Sequence, residues 1–142
     1  MTRTGPQKYP GASTAYWWQD DYPGSAMEVN VVCLHTTEGR TLPSYSGGGS
    51  APNLTAVPDF GVRRLRWYQH FDIDTSSRAL RNIAGGVETN TLNVCQVELV
   101  GTCDPARHRE WGTAQHIYWP QAPDWALAEL AAFLAWMHAE HD

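Results

Sequence analysis

The chain has 142 residues and a formal net charge of −5, with 10 Lys plus Arg against 15 Asp plus Glu. That length fits one domain of ordinary size, and the acidic balance argues against a general binder of nucleic-acid phosphates. Hydrophobic residues make up 42% of the chain, enough for a core, and the 7 Trp and 6 Tyr leave amphipathic side chains for a carbohydrate or peptide surface. No apolar run approaches the roughly 20 residues that span a bilayer.

Residues 1–28 are expected to form an extended arm, because prolines and glycines interrupt them throughout. They also lack the apolar stretch of a signal peptide. The three cysteines, Cys33, Cys95 and Cys103, are odd in number and lack CxxC spacing, which favours a reducing compartment over a disulfide framework. We therefore expect a protein made in a cytoplasm, which acts outside the membrane only if something else releases it.

Four segments have the pattern of β-strands. Residues 29–35 are apolar on both faces, which is typical of a central strand covered on both sides, and residues 94–100 are a second strong candidate for a strand. Residues 54–57 and 65–73 are weaker candidates. Residues 43–53 contain Gly47-Gly48-Gly49 and are expected to form a loop too flexible to belong to the core.

The remaining pattern predicts helices around a long loop. Residues 76–82 are expected to form one helical turn closed by Gly85-Gly86, and residues 101–123 to form the loop. Asp124 behind Pro123 is an N-cap candidate for a helix over 125–141. The apolar face of this helix is expected to consist of Leu127, Leu130, Leu134 and Met137. Residues 29–142 are therefore predicted to be one α/β or α+β domain, a mixed central sheet flanked by helices.

Two polar residues interrupt the buried strands. His35 ends the first strand beside a turn, where functional groups are common, and shares a face with Cys33. The alternative is a histidine satisfied by a backbone carbonyl. Glu98 lies inside the strand over 94–100, where a lone carboxylate is costly unless it is paired or its pKa rises, as in a general base. The alternative is a buried salt bridge to Arg66 or Arg78.

The other histidines are weaker candidates for chemistry. His138 and His141 are three residues apart on the last helix, a spacing that can chelate a metal. A surface role is favoured for both, because helix ends fray. His70 lies in an aromatic strand, and His108 and His116 lie in the polar loop.

An ordered set of motifs resembles one known family. The set consists of Val31-Val32-Cys33-Leu34-His35-Thr36-Thr37-Glu38-Gly39, Gly49-Ser50-Ala51-Pro52-Asn53, Trp67-Tyr68-Gln69-His70, Ser77-Arg78-Ala79-Leu80 and Gln96-Val97-Glu98-Leu99-Val100-Gly101. Together they are similar to the type-2 N-acetylmuramoyl-L-alanine amidase domain, which phage endolysins share with peptidoglycan-recognition proteins. The segment over 85–90 resembles endolysins of phages that infect actinobacteria. The resemblance covers about residues 29 to 141.

This resemblance implies a zinc hydrolase that cleaves the amide between N-acetylmuramic acid and L-alanine of bacterial peptidoglycan, as in host cell lysis. His35 matches the family's first zinc ligand, and Glu98 matches the glutamate that activates or orients the zinc-bound water. Tyr45 and Asn53 match positions along the substrate cleft. Trp67, one of several tryptophans that could line a sugar groove, completes the expected substrate-binding set.

The resemblance also implies an incomplete zinc site. The family's second histidine and its Asp or Cys ligand follow the last helix, and relatives often carry a histidine where this chain has Pro52. We expect a further segment or a second chain to complete the site, and we expect residues 1–142 alone to bind zinc weakly and to hydrolyse little peptidoglycan. Two alternatives stay open: a module that binds muropeptide without cutting it, and a structural or interaction protein of a phage particle.

Overall fold

The computed structural model describes residues 5–80 and 93–141. Four strands, β1 (Val31–Thr36), β2 (Leu54–Asp59), β3 (Arg64–Gln69) and β4 (Val94–Leu99), form one sheet in the order β1-β4-β2-β3. Strand β4 runs parallel to both of its neighbours, whereas β2 and β3 are antiparallel. Two helices follow, α1 (Pro105–Trp111) and α2 (Asp124–His141), with a 3-10 turn over Trp119–Gln121 between them. The predicted α+β fold with a mixed sheet is confirmed.

The two faces of the sheet carry different chemistry, because successive side chains of a strand point to opposite sides. One face packs against α2, and we call it the helix face. Its main core consists of Leu54, Ala56, Leu65, Trp67, Cys95, Val97 and Leu99 from the sheet, with Ala126, Leu130, Phe133 and Met137 from α2. The opposite face, which we call the cleft face, carries His35, Thr55 and Glu98.

Helix α2 occupies the predicted position, and its buried stripe matches the predicted apolar face in part, at Leu130 and Met137. Leu127 and Leu134 are 46% and 36% exposed, whereas Phe133 is fully buried and stacks on Trp67 with ring centroids 4.7 Å apart. The predicted apolar face was wrong at Leu127 and Leu134 and missed Phe133, because leucine spacing alone defined it. The larger ring of Phe133 removes more apolar surface from water, and its contact with Trp67 sets the rotation of the helix.

Strand β1 is an edge strand of the sheet formed by the described residues, with Val31 and Leu34 about two-fifths exposed. The prediction that it is a central strand covered on both sides was therefore wrong. The apolar pattern fits β4 instead, which lies between β1 and β2. A run that is apolar on both faces does not reveal whether both edges of a strand are paired.

Two local predictions also differ from the structure. Residues 76–80 form no helical turn and include bends over 78–80, and the rest of that segment, with the residues over 85–90, lies outside the described residues. The predicted loop over 101–123 contains α1, which begins at Pro105 with the Asp104 side chain accepting a hydrogen bond from Ala106 N. Since α1 buries no residue, it lacks the apolar stripe that identifies a helix in a sequence.

Residues 5–28 run along β3 and the segment that follows it, with isolated bridges at Ser13–Tyr68 and Ala26–Thr75. Tyr9 packs edge-on against Trp67 and Phe133, so this part of the chain contributes to the main core. Within the described ranges, no helix combines the length and apolar character needed to cross a bilayer.

Candidate active site

The structure brings His35 and Glu98 together on the cleft face. They occupy directly opposed positions of the parallel strands β1 and β4, and His35 Nδ1 lies 3.2 Å from Glu98 Oε1. Both side chains are largely buried, with 23% and 13% of their surfaces exposed. The pair lies near the carboxyl ends of parallel strands, where the sheets of many proteins place their ligands.

Each member of this pair has one buried polar atom without a hydrogen-bond partner, His35 Nε2 and Glu98 Oε2. Burial lowers the pKa of His35, which favours the neutral imidazole. A neutral imidazole facing a carboxylate through Nδ1 carries its proton there, and this leaves a lone pair on Nε2. Burial raises the pKa of Glu98, and a hydrogen bond with Tyr45 opposes this effect only in part.

The structure does not show the alternatives named above, a backbone carbonyl as the partner of His35 and a salt bridge from Glu98 to Arg66 or Arg78. Arg66 pairs with Asp59, Nη2 to Oδ2, at 2.8 Å, and Arg78 donates from Nε to the backbone oxygen of Gly49 at 2.9 Å. His35 faces the Glu98 carboxylate rather than a backbone carbonyl. Within the described part of the chain, the ion-pair partner of Glu98 is therefore a histidine whose lowered pKa keeps it mostly uncharged.

Tyr45 reaches this pair from the loop between β1 and β2. The side chain is only 8% exposed, and burial, followed by the nearby Glu98 carboxylate, raises the pKa of its hydroxyl. The loop was expected to be too flexible for the core, and this was wrong. Gly48 has φ of 101° and lies so close to the Trp18 ring that a Cβ there would collide with it. The glycines thus allow close packing of this loop against the arm.

A chain of hydrogen bonds runs from Tyr45 into the interior of the protein. The Tyr45 hydroxyl lies 2.8 Å from Thr55 Oγ1, which lies 2.9 Å from His70 Nε2, and His70 Nδ1 lies 2.8 Å from the backbone oxygen of Tyr16. A carbonyl only accepts, so His70 carries its proton on Nδ1 and accepts at Nε2 from Thr55. Thr55 must then accept from Tyr45. The Tyr45 proton therefore goes to Thr55, and the nearby Glu98 carboxylate adds to the rise in the pKa of the Tyr45 hydroxyl.

His70 is a residue of this neighbourhood that sequence reasoning undervalued. It is fully buried, its ring stacks on Trp18 with centroids 4.6 Å apart, and burial lowers its pKa to about 4. It stays neutral at physiological pH and fixes the direction of the hydrogen bonds that reach Tyr45. The aromatic character of its strand gave no sign of this contact, because Trp18 comes from the arm.

The other two predicted substrate-binding residues lie elsewhere. Asn53 is fully buried; its Nδ2 donates to the backbone oxygens of Asp72 and Thr75, and its Oδ1 accepts from Gln96 N. These bonds tie three segments of backbone together. Trp67 belongs to the helix face, stacked on Phe133. The structure does not bring either residue to the His35–Glu98 pair.

Glu38 is a second residue whose place the sequence did not indicate. It follows β1 with φ of 56°, and its carboxylate accepts hydrogen bonds from Thr36 Oγ1, Thr102 Oγ1 and Cys103 N. Burial acts to raise the pKa of Glu38, but these hydrogen bonds together hold it below its usual range. The turn after His35 is thereby fixed to the turn that follows β4.

The remaining histidines and the cysteines do not extend this site. His141 is buried, with Nε2 2.8 Å from the backbone oxygen of Pro6, so the surface role expected for it was wrong. Cys33, Cys95 and Cys103 are free thiols. Among the described residues, no group of three or more His, Cys, Asp or Glu side chains is arranged to hold a metal ion.

No protein-family model, curated protein or solved structure matches this chain. The site is therefore defined by its own geometry. It is a buried histidine–carboxylate pair at the ends of two parallel strands, joined through a tyrosine to an internal chain of hydrogen bonds.

Proposed function

We propose that this chain is a peptidoglycan amidase of the zinc-dependent type, which cleaves the bond between N-acetylmuramic acid and L-alanine. In this proposal it acts as a phage endolysin, made in the host cytoplasm and active on the cell wall after release. The observation that carries the proposal is the His35–Glu98 pair, a 3.2 Å contact between the two residues that match, by resemblance, the family's first zinc ligand and its glutamate.

The surroundings of His35 fit a zinc ligand. Metal-binding histidines commonly direct one ring nitrogen to a carboxylate or carbonyl and bind the ion with the other. His35 has this arrangement, with Nδ1 at Glu98 and the buried Nε2 unpartnered. Catalytic zinc sites take three protein ligands, and the described residues supply no such set of three. The proposal therefore includes ligands from a further segment or a second chain.

Bound zinc in such enzymes lowers the pKa of its water to about 7. Glu98 is suited to take a proton at Oε2, since that atom has no hydrogen-bond partner and burial raises the pKa of the carboxyl above its ordinary value. Its contact with His35 Nδ1 orients the imidazole. The nearby Tyr45 hydroxyl opposes in part the rise in the pKa of Glu98.

An open groove beside Tyr45 supports a glycan or peptide substrate. It has a volume of about 530 Å³ and is lined by Tyr16 and Trp18 from the arm and by residues 41–44 and 47. Tyr16 is 46% exposed, so part of its aromatic side chain is accessible to a ligand in the groove. Trp18 joins the groove to the pair, because its ring meets Tyr45 edge-on with centroids 5.9 Å apart.

The same groove favours a second candidate function, a module that binds muropeptide without cutting it. Aromatic surfaces and hydrogen-bonding groups are sufficient for binding, whereas hydrolysis also needs the complete metal site. The two functions make the same use of Tyr16 and Trp18 and differ only in the need for His35 and Glu98.

The test combines a binding and a cleavage assay on purified actinobacterial sacculi with zinc added. Binding is measured by co-sedimentation, and cleavage by mass spectrometry of stem peptides released with a free L-alanine amine. The chain is compared with a form extended beyond Asp142 by a segment that carries a histidine and an aspartate or cysteine. His35→Ala and Glu98→Gln are the variants, and His138→Gln, an exposed histidine on α2, is the matched control.

The amidase proposal expects the extended form to cleave faster than the 142-residue chain, and it expects both variants to abolish cleavage while binding persists. Binding without cleavage in every form would favour the non-catalytic module. Cleavage that survives His35→Ala would refute the role of the pair.

A further inference from the structure

His108 and His116 form a second histidine cluster, away from the contacts of the His35–Glu98 pair. His108 lies in α1, and His116 lies in the turn that follows it. The Nδ1 of His108 is 2.8 Å from the Nε2 of His116. Both side chains are partly buried, so they are held in place but remain within reach of solvent.

The protein fixes the orientation of both rings. His116 Nδ1 donates to the backbone oxygen of Ala114 at 2.5 Å, so its Nε2 presents a lone pair. His108 stacks on Tyr118 with centroids 4.3 Å apart and an interplanar angle of 8°, and Trp111 packs edge-on against His116. A metal-binding histidine usually donates a hydrogen bond from its other ring nitrogen to a group such as a backbone carbonyl, and His116 donates in this way.

Only one proton fits between these two nitrogens. With His116 Nε2 as the acceptor, the proton lies on His108 Nδ1. A cation that replaces this proton can be bound by both nitrogens at once. Zinc–nitrogen bonds of about 2.0–2.1 Å at a tetrahedral angle separate two ligand atoms by about 3.4 Å. The rings need to part by only about 0.6 Å from their present separation of 2.8 Å.

We propose that His108 and His116 form a two-histidine site for a borderline divalent cation such as zinc, with water in the remaining positions. Imidazole is a good ligand for zinc, copper and nickel and a poor one for magnesium or calcium. The ion links the last turn of α1 to the turn at 113–116 and closes a short loop that contains Trp111. It is independent of the ligand role proposed for His35.

Binding of zinc makes a specific prediction about the tautomer of His108. Without metal, His108 carries its proton on Nδ1, as the hydrogen bond to His116 requires. When the ion takes Nδ1, the remaining proton of the neutral ring must lie on Nε2. His116 keeps its proton on Nδ1 in both states, because the backbone oxygen of Ala114 continues to accept the hydrogen bond from Nδ1.

The experiment is a zinc titration of the whole chain, followed by long-range ¹H–¹⁵N NMR of the imidazole nitrogens. We expect saturable shifts at His108 and His116 with a change of tautomer at His108 alone. His116→Gln and His108→Gln should each weaken zinc binding at this site by about tenfold or more, as losing one of two ligands implies. Circular dichroism of both variants checks that they are folded.

Two further variants separate this site from the proposed amidase site. His35→Ala should leave the zinc affinity of His108 and His116 unchanged, and so should His138→Gln. Zinc-induced shifts that are confined to His35, or an affinity at this pair that is unaltered in His116→Gln, would overturn the proposal. A chain without amidase activity that still shows the tautomer change at His108 would support it.

Discussion

Replacement of Glu98 by glutamine should stabilise the protein while removing its proposed catalytic function. The carboxylate is mostly buried, and its ion-pair partner His35 is largely neutral because burial lowers the pKa of that ring. Glu98 Oε2 has no hydrogen-bond partner. A glutamate retained in such surroundings for structural reasons alone would need compensating contacts, whereas a catalytic group often occupies a site that destabilises the fold.

The size of the expected stabilisation follows from the cost of burying the Glu98 carboxylate, which is incompletely paired. A buried polar group without a partner costs about 1–3 kcal/mol. Glutamine removes the charge but keeps an amide that still needs partners, so we expect Glu98→Gln to gain about 1–2 kcal/mol at pH 7.5. For a chain of this size that corresponds to a rise in Tm of roughly 4–8 °C.

The advantage of the variant should depend on pH. The native pKa of Glu98 lies above its ordinary value of 4.5. As the pH falls through the native pKa, the folded wild type takes up a proton that the unfolded chain does not yet hold, and wild-type stability rises. The difference in unfolding free energy between Glu98→Gln and the wild type should therefore be largest above the native pKa of Glu98. It should become smaller as the pH falls towards 4.5. Other titrating groups act on both proteins and largely cancel in the difference.

Thermal and urea unfolding, followed by circular dichroism, would measure this difference in unfolding free energy. A chelator is present so that no metal contributes to stability. Glu110→Gln, at an exposed glutamate of α1, is the matched control and should change stability by less than about 0.5 kcal/mol. A Glu98→Gln protein that is less stable than wild type by about 1 kcal/mol or more, as a broken buried ion pair would make it, would contradict the expected stabilisation. A difference in unfolding free energy that does not vary with pH would contradict it as well.

Three further predictions concern the parts that hold the site. Phe133→Ala should cost about 3–5 kcal/mol of unfolding free energy in urea, whereas Leu134→Ala, on the exposed side of α2, should cost less than about 1; equal losses would mean that the helix face is misassigned. Asn53→Ala should cost about 2–4 kcal/mol through its three lost hydrogen bonds, and an unchanged urea midpoint would contradict that role. The native pKa of His70 is about 4 against 6.5 for the ordinary side chain, so the contribution of the neutral ring is complete above pH 6.5 and is lost as the pH falls towards 4. Between pH 6.5 and pH 4 the unfolding free energy of the wild type should thus fall by up to about 1.4 kcal/mol per pH unit relative to that of His70→Gln. Parallel pH profiles of the two proteins would contradict the lowered pKa of His70.

The sequence was informative where the strand period alone determines geometry. His35 and Glu98 each end or interrupt an apolar run, and the structure places them opposite one another in β1 and β4. The same argument separates Cys33 from Cys95, since they lie on opposite faces of the sheet, and neither forms a disulfide.

The sequence was least informative where one segment covers another. Tyr45 is buried because Trp18, 27 positions earlier, packs against it and against the loop glycines, and a Gly-rich composition indicates only a flexible loop. The buried stripe of α2 depends on the ring of Phe133 meeting Trp67. Such contacts are decided by the shapes of side chains that are distant in the chain, and local periodicity does not contain them.

The contact between His141 and Pro6 has a consequence for the order of events during synthesis. The two residues are 135 positions apart and joined by a 2.8 Å hydrogen bond, and Tyr9 packs against Phe133 and Trp136 nearby. The segment over 5–28 can pair with β3 and the residues after it once these have emerged from the ribosome, but its contacts with α2 form only when that helix is almost complete. Until α2 has emerged, the helix face of the sheet and the ring of Tyr9 stay partly uncovered, a state that is open to aggregation and to chaperones.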